Sequence, residues 1–133
     1  MKTISRISLF FLLLMGLAFA NVGVQALLSP QGIMDNVGIM LNNTSAISSI
    51  RAIYGGMHLV FGLFCFLGAF KMQREALGLV MLYTLGFTSG RLIGIGAEGA
   101  PNSFVMTWLV TEIVSCLIAG GLLWGLHTKK LHL

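Results

Sequence analysis

Leu85 to Pro101 reads LGFTSGRLIGIGAEGAP, an apolar, glycine-rich stretch with one arginine, Arg91, set inside it. An ionisable side chain within a membrane span costs about 2.5 to 3.5 kcal/mol on insertion scales, so it faces the interior of a bundle and has a partner there. The chain carries only four acidic residues. Two of them, Glu98 and Glu112, lie close enough in sequence and depth to serve Arg91, and this restricts the arrangement more than any other feature.

The rest of the chain supplies the membrane context. Of 133 residues, 56% are hydrophobic and 9% charged, where a soluble domain carries about 25% charged residues. The apolar runs 7–28, 52–70, 76–97 and 104–126 each approach the roughly 20 residues that cross about 30 Å of hydrocarbon as a helix. The expected fold class is therefore all-α, an integral membrane bundle of four transmembrane helices with a short interfacial segment between the first and second. One such bundle takes up the whole chain, so residues 1–133 are read as a single transmembrane domain. The net charge of +4 does not point to nucleic acid, because the basic residues are scattered at span ends and form no patch with aromatic residues between them.

Those basic residues report topology. Lys2 and Arg6 precede the first span, Lys71 and Arg74 separate the second from the third, and Lys129 and Lys130 follow the fourth. All fall on one side, which the positive-inside rule makes cytoplasmic, with both termini inside and residues 29–50 and 98–103 outside. Met1 to Ala20 also has the basic start, apolar core and Ala18-Phe19-Ala20 ending of a cleavable signal peptide. Asn21 to Leu28, however, extends the apolar run beyond the 7 to 15 residues of a signal core, which favours a retained first helix. In Pro30 to Ile50, the weak stripe Ile33, Met34, Val37, Met40 predicts a short helix lying along the outer surface, with Ser48 or Ser49 capping the second span. Cys65 and Cys116 read as small apolar fillers.

The second span opens with Arg51, Tyr54 and His58 at i, i+3 and i+7, a spacing that aligns them on one α-helical face beside Gly55, Gly56 and Gly62. In the third, Gly86, Gly90 and Gly94 make a doubled small-xxx-small face suited to close helix crossing. Thr84, Thr88, Arg91 and Glu98 line a polar face next to it. Glu112 in the fourth span lies roughly 15 Å below the outer end and Arg91 about 9 Å below its own, a gap an arginine can bridge. The candidate ligand-binding residues are thus Arg51, Tyr54, His58, Arg91, Glu98 and Glu112, with His58 and Glu112 also candidates for catalytic acid and base. Each has a bland reading beside the functional one. Arg91 and Glu112 can simply neutralise each other, His58 can be a hydrogen-bonded interior histidine, and Arg51 and Tyr54 can be interfacial anchors. One histidine and one glutamate at similar depth are too few for a metal site, and no nucleotide loop, nucleophile elbow or haem motif appears, so neither metal nor cofactor is expected.

Arg51-Ala52-Ile53-Tyr54-Gly55-Gly56, Gly90-Arg91, the turn Glu98-Gly99-Ala100-Pro101 and Glu112 together resemble the family of short bacterial four-helix membrane proteins called domain of unknown function 4345. The resemblance covers most of the chain, from the first span to the fourth. It implies the four-helix fold and residence in a bacterial membrane, and brings no activity with it. In architecture alone the chain is also similar to DoxX-type four-helix proteins, a likeness that carries no function.

Three functions fit these residues. A binding protein would hold an amphiphilic or anionic-headed small molecule or lipid in a polar pocket of the outer half, using positive potential that Arg51 and Arg91 leave unneutralised. A membrane-embedded enzyme would use His58 and Glu112 for proton transfer on a lipid-soluble substrate. A structural subunit would use the Arg91–Glu112 pair only to fix helix register. Membrane lipid is a partner in all three, nucleic acid in none, and assembly with further copies of the chain stays open. The topology is checked by cysteine labelling from outside the cell: a cysteine at Asn43 is reached and one at Gln73 is protected, whereas the reverse pattern inverts the orientation.

Overall fold

In the computed structural model, which describes residues 2–128, the chain is all-α, and no strand occurs among the described residues. Lys129 and Lys130 lie outside that range. Four helices are long and apolar enough to cross a membrane, Lys2–Leu28, Thr44–Lys71, Gln73–Glu98 and Ser103–Thr128. They are called the first to fourth helices below. Each runs past the apolar stretch that announced it, because polar flanks such as Gln73 to Glu75 continue the backbone ladder once it has begun. At 1.5 Å per residue, the second helix, 28 residues long, extends about 42 Å.

The helix ends follow from local chemistry. Asn43, extended at φ −153°, caps the second helix by accepting a 2.8 Å hydrogen bond from the Ala46 amide. This corrects the assignment of the cap to Ser48 or Ser49: the Ser49 hydroxyl instead donates to the Ser45 carbonyl one turn back, so those serines lie inside the helix. Only Met72 separates the second helix from the third. Gly99, at φ +96°, ends the third in a conformation that favours glycine. Asn102 then caps the fourth by accepting from the Val105 amide at 2.9 Å.

Between the first and second helices, Pro30–Asp35 forms a helix of six residues. Pro30 at its start supplies a fixed φ and lacks an N–H that would have gone unpaired there. Gly38, at φ +75°, reverses the chain afterwards. The expected apolar stripe divides: Met34 is buried, Ile33 and Val37 are half-buried, and Met40 is exposed.

The first and second helices meet along a glycine seam. A Cβ on Gly62 would lie 3.0 Å from the Gly16 carbonyl oxygen and 3.2 Å from the Ala20 nitrogen, and one on Gly23 would lie 3.1 Å from the Gly55 carbonyl oxygen. Backbones this close need small residues on both sides. The third helix differs from expectation. A Cβ on Gly86 or Gly90 would meet nothing within 4 Å, because this helix turns Val80, Tyr83, Thr84, Phe87 and Arg91 inward and leaves those glycines on its flank. Leu12, Phe19, Cys65, Ala69, Ala76, Leu77, Val80 and Ala119 form the core. Leu14, Val60, Leu82 and Leu117, one from each long helix, are more than half exposed, as an apolar surface facing lipid chains would be.

The end of the bundle away from Pro30–Asp35 is tied by polar contacts. Ser5 donates to the Gln73 side chain at 2.9 Å, Gln73 donates back to the Ser5 carbonyl at 3.0 Å, and Arg74 donates to the Leu126 carbonyl at 2.8 Å. Cys65 and Cys116 are both free thiols. The seam gives a direct test. Gly62→Val, which forces a side chain against backbone, lowers the stability of the detergent-solubilised protein by about 1–3 kcal/mol, while Gly90→Ala causes no loss; thermal unfolding of the two variants measures the difference.

Candidate functional site

The segment Arg51–Gly56, RAIYGG, is not α-helical but a π-helical turn inside the second helix. The two adjacent glycines, Gly55 and Gly56, carry no side chain to crowd the widened turn. The Met57 amide reaches back five residues to the Ala52 carbonyl. The Ile53 carbonyl, which a regular α-helical ladder would give to Met57, lies 3.1 Å from Nδ1 of His58. A π turn takes one more residue than an α turn and occurs often at functional sites.

His58 is buried and enclosed by aromatic rings. Tyr54 stacks on it at 5.6 Å and 18°, Phe19 meets it edge-on at 6.0 Å, and Tyr83 stands perpendicular at 5.7 Å. The Tyr83 hydroxyl and His58 Nε2 are 2.6 Å apart. A carbonyl oxygen can only accept, so in the neutral ring the proton sits on Nδ1 and is donated to Ile53. Nε2 is then a lone pair that accepts from the Tyr83 hydroxyl.

The charged pair joins the third and fourth helices. Arg91 Nε donates to Glu112 Oε2 at 2.8 Å and Arg91 Nη2 donates to Oε1 at 3.0 Å, a two-pronged pair. Glu112 is buried, Arg91 is half-buried, and the guanidinium carbon lies 5.9 Å from the centre of the Phe87 ring. The geometry anticipated from the depths of Arg91 and Glu112 is therefore made directly, with no water between them.

These groups line one cavity of about 160 Å³ between the helices. Its walls include Phe19, Tyr54, Tyr83 and Phe87, with Trp108 and Phe104 from the fourth helix. Thr84 and Ser115 add hydroxyls, and that of Thr84 is spent on the Val80 carbonyl at 2.8 Å. Ile33, Met34 and Val37 form the roof. The roof is braced from within and from the side. Gln31 donates to Asp35 at 2.6 Å and to the Ile39 carbonyl at 3.0 Å and accepts from the Leu41 amide at 2.9 Å, while Asn102 donates to the Asn36 carbonyl at 2.9 Å.

Of the six candidates, Tyr54, His58, Arg91 and Glu112 come together on this cavity. Arg51 and Glu98 do not. Arg51 is exposed and donates to the Leu27 carbonyl at 3.1 Å. Its spacing from His58 aligns the two only at α-helical periodicity, and the π turn between them changes the phase. Glu98 is exposed on the last residue of the third helix, away from the cavity lining. The Thr88 hydroxyl is buried with no hydrogen-bond partner among the described residues. Tyr83 and Phe87 also line the cavity, and sequence reasoning missed them; with Arg91 they fall at i, i+4 and i+8, and that stripe was the available signal.

A family model described as Domain of unknown function (DUF4345) matches residues 7–124. No curated protein and no solved structure matches the chain. Removing one partner of a buried ion pair typically costs about 3–5 kcal/mol. Arg91→Ala and Glu112→Ala are each expected to fall in that range while Lys71→Ala leaves stability unchanged, and the double variant Arg91→Met with Glu112→Met recovers most of the loss; thermal unfolding in detergent reads all four.

Proposed function

The chain belongs to the DUF4345 family, and we propose that it is a binding protein of the membrane that holds a lipid-soluble molecule by a ring-sized polar head in the cavity beneath Pro30–Asp35. The observation that carries this reading is the cavity itself. At about 160 Å³ it is close in size to an engineered cavity of about 150 Å³ that takes up benzene. Aromatic walls with a few placed polar groups are the usual make-up of a small-molecule site. A tail would leave between apolar helices into lipid.

The head is neutral on this reading, where the sequence left an amphiphilic or an anionic-headed molecule open. Glu112 answers the charge of Arg91 with both oxygens, and Arg51 lies outside the cavity lining, so the positive potential that favoured an anion is not free in the site. Proton transfer between His58 and Glu112 is less favoured for a related reason. Glu112 is committed to Arg91, and His58 to Ile53 and Tyr83. A purely structural role accounts for the ion pair but gives the cavity and its braced roof no purpose.

Lys2, Arg6, Lys71 and Arg74 belong to the end of the bundle opposite the roof, which supports an orientation with the roof outside and both termini in the cytoplasm. A bacterial cytoplasmic membrane fits the resemblance that the motifs carry. Native mass spectrometry of protein purified in mild detergent tests the proposal. The wild type retains a neutral lipid-soluble molecule, and Ala18→Phe, which fills the cavity from its wall, does not; a wild type as empty as the variant overturns the reading.

A further inference from the structure

The orientation of one hydroxyl proton narrows the class of head that the cavity accepts. On its wall, Tyr83 takes its hydrogen-bonding role from two contacts in series that begin outside the lining, at the Ile53 carbonyl. The π turn leaves the Ile53 carbonyl 3.1 Å from His58 Nδ1. That carbonyl places the ring's proton on Nδ1, and Nε2 draws the Tyr83 proton across 2.6 Å. Tyr83 then has no proton to offer a ligand, and its oxygen presents lone pairs only. Thr84 is in the same state, its proton given to the Val80 carbonyl at 2.8 Å. The Glu112 oxygens each receive one Arg91 proton, at 2.8 and 3.0 Å, and accept from any further donor. Trp108, Ser115, Tyr54 and the Arg91 N–H groups not given to Glu112 can donate to a second atom of the head.

The geometry points to a ring-sized head that carries a hydroxyl, a phenol or a cyclic alcohol, whose O–H is donated to the Tyr83 oxygen. Tyr83 is the specificity-determining residue, and His58 is the positioning residue that turns it into an acceptor. This inference rests on the binding reading above. It goes further by requiring a proton donor at the Tyr83 oxygen, a contact from which a head that can only accept, such as an ether, gains nothing.

The test uses two fluorinated probes of similar size, 4-fluorophenol and 4-fluoroanisole, titrated into the full chain in mild detergent. Fluorine NMR follows binding, corrected for partition into protein-free micelles. The wild type binds the phenol about five times more tightly than the ether, the ratio that one net hydrogen bond confers. Tyr83→Phe brings the two affinities together by weakening the phenol, with its helical content and thermal unfolding followed alongside. Equal affinities in the wild type, a preference for the ether, or a preference that survives in Tyr83→Phe each overturn the inference and leave the cavity as a binding site. Failure of the wild type to bind either probe overturns the binding reading itself.

Discussion

Arg91 and Glu112 hold each other with two hydrogen bonds, 2.8 and 3.0 Å long, and among the described residues no other carboxylate, lysine or arginine is buried inside the bundle to offer either of them a partner. An unpaired charge there would lack both water and a counter-ion, so the helices that carry the two residues are held at one rotation and one height. From that constraint the rest of the cavity follows. With Arg91 turned inward, Tyr83 and Phe87, eight and four residues before it, must face the same space. With Glu112 turned inward, Trp108 and Ser115 must do so as well.

The first two helices obey a different rule. They approach by backbone, Gly16 and Gly23 against Gly62 and Gly55, and close contact of this kind gains dispersion without any polar group. The two modes of packing leave unequal space. Where glycine faces glycine the helices touch; where Phe19, His58, Tyr83 and Phe87 come between them, the rings prop the bundle apart. Pro30–Asp35 covers the gap at that end, and the opposite end is filled by Leu12, Leu77, Val80 and the small residues packed around them.

Much of this was legible in the chain. Hydropathy alone separates the four spans, and the rarity of acids makes Glu112 the natural partner of Arg91, since Glu98 sits at a helix end. The glycine pattern was legible only in part. Gly55 and Gly62 pack against the first helix, yet Gly86 and Gly90, four apart on one helical face, meet open space. A repeat of small residues says that close approach is allowed, and the inward demand of Arg91 on the same helix decides that it is not used within the chain. Arg51 was misplaced for a different reason. A helical wheel assumes 3.6 residues per turn throughout, and nothing in RAIYGG announces a wider turn except two neighbouring glycines. Tyr83 gives no signal of its own, since a tyrosine inside an apolar run reads as packing and its partner His58 lies on another helix.

The wide turn at Arg51–Gly56 has a consequence for how this sequence can vary. It acts as a phase shifter, with Thr44 to Ile50 on one side counted in one rotational frame and Met57 to Lys71 on the other side in a second. Because the wide turn spends one residue more than an α turn over the same rotation, losing a single residue within it would restore an unbroken α-helix with the capped start and the His58 face both kept in place, while the Ile53 carbonyl would return to the backbone ladder and no longer set the His58 proton. Length in this segment therefore bears on the histidine before it bears on packing: a one-residue deletion keeps both faces of the helix, and what it removes is the carbonyl that orients the His58 ring.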